Sequence, residues 1–206
     1  NDLYIDALLE ELDGNKNLFL SYEIKSFKRK SSNYKKNRES FDINLAYEIL
    51  NTYFNRVIEI SEYQIKLAKK DNFDLSIDED VDIFYDDNEY AITMNELKER
   101  WRKTTKNDFI VSVLAKDDEN EIISNLINRY ERRIKRVLQR KDEDIFLLAI
   151  NIMTRQFDPH STYLSPYKAE DFEIDMSLKL GGIGALLSNS ATEDYAIIVS
   201  LVPGGP

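Results

Sequence analysis

Five of the chain's six glycines lie between positions 181 and 206, and everything before them contains only Gly14. Glycine admits φ > 0 and close backbone approach, so its sudden arrival marks a change in the kind of structure being built. A long stretch with almost no glycine favours helices. The distribution therefore predicts a mainly α chain: a helical amino-terminal region, then a short β segment that has just begun where the sequence reaches Val202-Pro203-Gly204-Gly205-Pro206.

Composition sets limits on function. A hydrophobic fraction of 42% and an aromatic fraction of 11% suffice for a folded core. The formal net charge of −10 argues against nucleic acid as a partner, because phosphate would be repelled. With no cysteine and a single histidine, His160, thiolate and multi-histidine metal sites are excluded. No apolar run approaches the roughly 20 residues of a membrane span. The chain opens on Asn1 rather than Met, so a missing export signal says nothing about location.

The periodicity predicts a succession of helices. Residues 1–30 read as two short helices around a turn at Asp13-Gly14-Asn15-Lys16, with Ser21 as N-cap of the second. Residues 41–70 carry Phe41, Leu45, Ile49, Tyr53 and Val57 at four-residue spacing, joined by Leu50, Phe54 and Ile58, a stripe wide enough for burial between neighbours. Thr93-Met94-Asn95-Glu96 is a capping-box pattern opening a helix through Leu97 and Trp101. Two further helices, about 118–140 and 142–156, are expected to pack antiparallel, with Asp142 capping the second and Phe146 facing inward. Ser165-Pro166 reads as the start of a short helix, and Glu173–Leu180 as alternating, strand-like sequence. Ile183–Leu187 and Ala196–Val202 read as strands.

Three charged or polar groupings invite a chemical reading and fail on their details. The basic stretch from Lys25 to Arg38 lacks phosphate-cradling glycines and reads as a solvated helix end. The acidic stretch Asp78–Glu89 lacks the glycine that a calcium loop requires and reads as an acidic loop. Asp158, His160 and Ser161 are triad residue types, but adjacent residues point in different directions, so a turn stabilised by Asp158 and Ser161 is expected instead.

Gly181-Gly182-Ile183-Gly184-Ala185-Leu186-Leu187 is different in kind. A Gly-x-Gly entering a strand presents successive N–H groups to an anion, and a free strand edge beside it accepts an extended peptide. Together they would capture a peptide's terminal carboxylate and last residues. A dinucleotide loop is disfavoured, since Leu187 stands where a third glycine is needed and the sequence continues as strand. A bulged hairpin with no ligand is the plain structural alternative.

Phe157-Asp158-Pro159-His160-Ser161-Thr162-Tyr163-Leu164-Ser165-Pro166, then Asp175 to Ala185, then Val202 to Pro206, resemble in order and spacing the tail-specific protease branch of the carboxyl-terminal processing peptidases. Tyr4-Ile5-Asp6-Ala7-Leu8 and Phe19-Leu20 are similar to that branch's helical amino-terminal domain. The resemblance implies a parent protein that is a periplasmic serine endopeptidase. It would recognise apolar carboxyl-terminal tails through a PDZ domain and cleave them with a serine nucleophile and a lysine general base. It implies that Gly182, Ile183, Gly184 and Ala185 hold the peptide carboxylate and that Leu186 and Leu187 pair with the peptide. It assigns no catalytic residue to this chain, whose match ends before the family's serine and lysine.

The expected organisation is a helical domain over 1–156, a linker over 157–176, and the first strands of an incomplete PDZ domain over 177–206. The chain by itself is expected to be inactive, with no cofactor and no metal. The expected partners are carboxyl-terminal peptide tails and an adaptor on the helical domain, with no nucleic acid and no integral membrane segment. The rival reading is a non-enzymatic helical adaptor whose β tail binds peptides.

Overall fold

The computed structural model describes residues 2–36, 43–70, 73–81, 89–115, 119–177, 184–189 and 196–203. Seven helices occur among them: α1 (Asp2–Asp13), α2 (Ser21–Lys36), α3 (Ile43–Lys69), α4 (Met94–Leu114), α5 (Glu119–Leu138), α6 (Asp142–Arg155) and α7 (Pro166–Ser177). Two strands follow, β1 (Ala185–Asn189) and β2 (Ala196–Leu201). The fold is thus mainly α with a short antiparallel sheet at the carboxyl end, as the glycine distribution requires. The chain divides into two compact units, one up to Tyr163 and one from Leu164.

The first unit is organised by α3. Its stripe buries Leu45, Ala46, Ile49, Leu50, Phe54, Val57 and Ile60, and the helix packs against α1, α2, α4, α5 and α6. Phe41, expected on the same stripe, lies outside the described residues. Leu8, Phe19, Ile49, Leu50 and Ala149 are fully buried in the main core. A second cluster gathers Leu20, Ile60, Leu97 and Trp101, and a third Ile122, Leu126 and Tyr130.

The turn after α1 is built on one carboxylate. Asp13 is buried and accepts the N–H groups of Asn17 (2.7 Å), Leu18 (2.9 Å) and Phe19 (2.8 Å). Burial pushes its carboxyl up, while these three donors pull it down. Trp101 Nε1 then donates to the Asn17 carbonyl at 2.7 Å, which seats α4 on the turn.

Helix starts follow the capping logic with corrections. Thr93 caps α4, its hydroxyl accepting the Glu96 N–H at 3.2 Å, while the Glu96 carboxylate accepts the Ile92 N–H at 2.9 Å and is drawn down more weakly by that of Thr93. Ser21 is already helical. Leu20 occupies the capping place, and Glu23 accepts its N–H at 2.7 Å. Lys141, not Asp142, precedes α6, with Asp144 accepting the Lys141 N–H at 3.0 Å. An acid three residues on caps the helix from inside, so no hydroxyl or aspartate is needed at the boundary itself.

The expected α5–α6 hairpin does not form. α5 lies on α3 and α4, whereas α6 lies on α1 and α3, and the two helices make no close approach to one another. Each apolar face finds the long α3 surface in place of its neighbour in sequence. Phe146 is correspondingly half-exposed and meets the Tyr163 ring edge-on at 6.3 Å.

Residues 173–177, expected to alternate as a strand, are the last turns of α7. Ser165 opens that helix: its carbonyl accepts Ala169 N–H at 2.8 Å, and Pro166 sits at the first position, where its missing N–H costs nothing. No proline or glycine interrupts the next eleven residues, so the helix runs on.

Candidate peptide-binding edge

β1 and β2 pair antiparallel, with Ala185 opposite Leu201, Leu186 opposite Ser200, Leu187 opposite Ile198 and Ser188 opposite Ile197. The register shifts between Leu186 and Leu187, so Val199 is an extra residue in β2, a bulge that turns the strands. Gly184 enters β1 with φ 66°, a left-handed conformation in which a side chain is strained. Its carbonyl accepts the Val202 N–H at 2.7 Å, extending the ladder one step beyond the first pair. The glycine thus supplies the turn that directs the chain into the strand.

Among the described residues β1 has β2 on one side and no strand on the other. Leu186, Leu187, Ile197, Ile198 and Leu201 are all exposed. A two-stranded ribbon with apolar side chains in solvent is marginal alone and offers a free row of backbone groups to an incoming strand. Of the residues expected to bind a peptide, Gly184, Ala185, Leu186 and Leu187 are brought together here. Gly182 and Ile183 lie outside the described residues, as do Gly204 and Gly205.

The other candidate groupings resolve into structure. Asp158 Oδ1 accepts His160 N–H at 2.9 Å, and its carbonyl accepts Ser161 N–H at 2.9 Å. Asn151 Oδ1 takes Tyr163 N–H at 2.7 Å, and Thr154 Oγ1 donates to the Ser161 carbonyl at 3.2 Å. These bonds make a pinned turn and no triad. Among the described residues no group of three metal-ligating side chains converges.

The acidic stretch hides one feature that its composition does not show. Glu79 reaches α4, pairing with Lys106 Nζ at 2.7 Å and with the Arg102 guanidinium. Lys106 also donates to the Ile77 carbonyl at 3.0 Å and Lys103 to that of Asp80 at 3.3 Å. The two cations hold the Glu79 carboxyl down at about 2. The strap over residues 73–81 and α4 enclose an open groove of about 550 Å³ floored by Ile110 and Asn107. Phe73 stacks on Phe109 at 4.9 Å at one end of the strap. The signal in sequence was a cation pair at i, i+4 on α4, which has meaning only once its distant acid is known.

The family model described as "Tail specific protease N-terminal domain" matches residues 2–167. A tail-specific protease of Haemophilus influenzae is 31% identical over 202 residues, covering 98% of this chain and 29% of its own length. The chain thus spans less than a third of that relative, and no helix among its described residues is long and apolar enough to cross a membrane. Because that family model spans most of its length, the chain belongs to the tail-specific protease N-terminal domain family.

Proposed function

We propose that the hairpin opens a PDZ module in which Gly182, Ile183, Gly184 and Ala185 present N–H groups to the carboxylate of a substrate protein's last residue. Leu186 and Leu187 then offer the free edge of β1 to the apolar residues before it. The observation that carries this reading is the left-handed Gly184 leading directly into a strand whose second edge is unpaired among the described residues. Such a loop and edge bind by main-chain hydrogen bonds, with apolar side chains adding selectivity.

The parent protein is then an endopeptidase of the cell envelope, periplasmic, that degrades or processes proteins chosen by their carboxyl-terminal tails. A serine nucleophile activated by a lysine base would lie in the polypeptide that the relative has beyond the matched span. The helical unit is the scaffold from which the module is presented, and an adaptor would dock on it. The chain itself binds without cleaving. Side-by-side assay of this chain and of the longer protein on a polypeptide ending in apolar residues tests this division. Turnover by the longer protein alone supports it. Turnover by this chain, whether or not it survives Ser161→Ala, would refute it.

A further inference from the structure

Residues 73–81 lie against α4 without joining any of the buried clusters of the helical unit. Of these residues only Phe73, Glu79 and Val81 are less than exposed, and Leu75 and Ile77 stand 56% and 53% open to solvent. The strap's hold on α4 is polar. Glu79 pairs with Lys106 and Arg102, while Lys106 and Lys103 donate to the carbonyls of Ile77 and Asp80. Phe73 on Phe109 adds one stacked ring pair. Within the strap, Asp74 Oδ1 accepts the Ser76 N–H at 2.9 Å and the Ser76 hydroxyl at 2.6 Å, a local turn that needs nothing from α4. Beneath the strap, Phe109 packs on the cluster of Ile122, Leu126 and Tyr130, and Trp101 and Leu97 anchor α4 in the cluster with Leu20 and Ile60. The helix therefore keeps its seat without the strap.

The weight falls on Glu79. Its side chain is 13% exposed and that of Lys106 7%. Among the described residues Lys106 forms no second ion pair, whereas Arg102 also pairs with Glu99 at 2.7 Å. Loss of the Glu79 charge would leave a covered ammonium opposed only by the Ile77 carbonyl, an arrangement that water relieves once the strap lifts. A segment with little apolar burial opens locally at far smaller cost than helices that carry a core. We propose that residues 73–81 form a lid latched to α4 by Glu79, lifting as a unit from the α4 groove while the helices stay folded. Opening uncovers Asn107 and Ile110 on the groove floor and frees the charges of Arg102 and Lys106. The other charged groups around the latch are Glu99 and Lys103 on α4 and Asp74, Asp78 and Asp80 in the strap. The Arg102 and Lys106 hydrogen bonds hold the Glu79 carboxyl at about 2, so the latch stays charged, and the lid closed, throughout the neutral range. This device goes beyond the peptide reading of the hairpin and does not depend on it.

The chain contains no cysteine, so Leu75→Cys with Val111→Cys, exposed positions on the strap and on α4, can be spin-labelled without background. Pulsed dipolar spectroscopy at neutral pH should give one narrow distance distribution. Adding Glu79→Gln should broaden it toward longer distances, with hydrogen exchange in α1, α3 and α5 unchanged. Adding Lys106→Met to Glu79→Gln removes the second charge and should narrow the distribution again, because no covered ammonium is left to hydrate. A broad distribution in the labelled parent, an unchanged one with Glu79→Gln, or no narrowing with Lys106→Met would each overturn the proposal. So would faster exchange throughout the helices of the Glu79→Gln protein, which would make the strap part of the core and no lid. Peptide capture by the hairpin is untouched by any of these outcomes, since neither label lies on it.

Discussion

The Val202 N–H donates to the Gly184 carbonyl at 2.7 Å while Gly184 holds φ at 66°. The turn and the ladder are therefore one object: a residue that cannot take the left-handed conformation disturbs the strand that follows. Gly184→Val should cost about 1–2 kcal/mol locally. Hydrogen exchange in β1 and β2 should accelerate, with exchange in α1–α6 unchanged. Equal protection in the variant and the parent would show that the turn does not depend on the glycine.

Glu79 gives a pH dependence with a definite sign. Its folded carboxyl lies near 2, below the usual 4.5, because Arg102 and Lys106 favour the charged form. A depressed carboxyl stabilises the fold above its unfolded value and loses that contribution as pH falls from 4.5 toward 2. Glu79→Gln should lower Tm at neutral pH, and the gap to the parent should close across that interval. A gap that stays constant down to pH 2 would mean that the ion cluster does not hold the strap.

Tyr130 is fully buried, and its hydroxyl donates to Asp108 Oδ2 at 2.7 Å. Burial, with the Asp108 charge added, pushes the phenol up, so the hydroxyl stays protonated. Tyr130→Phe keeps the ring between Arg129 and Arg133 but removes the donor, and should cost about 1–2 kcal/mol in urea unfolding. Tyr130→Ala empties a core position as well and should cost about 3–5 kcal/mol.

Asp13→Ala should be more damaging than its place in a surface turn suggests. Three N–H groups, those of Asn17, Leu18 and Phe19, lose their acceptor, and the carbonyl that receives Trp101 belongs to the same turn. A loss of about 3 kcal/mol or more is expected, read from chemical unfolding followed by the Trp101 fluorescence.

The helices were legible because their signals are local. The α3 stripe, the Thr93 capping box and the Ser165-Pro166 start each specify an element within a few residues. What failed was partner choice. Nothing in residues 118–156 states that α5 and α6 both prefer α3 to one another, because that is decided by the surface of a helix some fifty residues away. Glu79 escaped for the same reason: its two cations lie on α4, more than twenty positions later. Gly184 was legible because a glycine at the mouth of a strand has few other uses.

The most direct measurement is cleavage by the longer protein of two peptides that differ only at the end, one with apolar residues and a free carboxylate, the other amidated. The account predicts a lower kcat/KM for the amidated peptide, by tenfold or more as expected for one lost charge-assisted contact, and a Gly184→Val protein that no longer distinguishes the two. Equal rates for both peptides with the parent protein would contradict it.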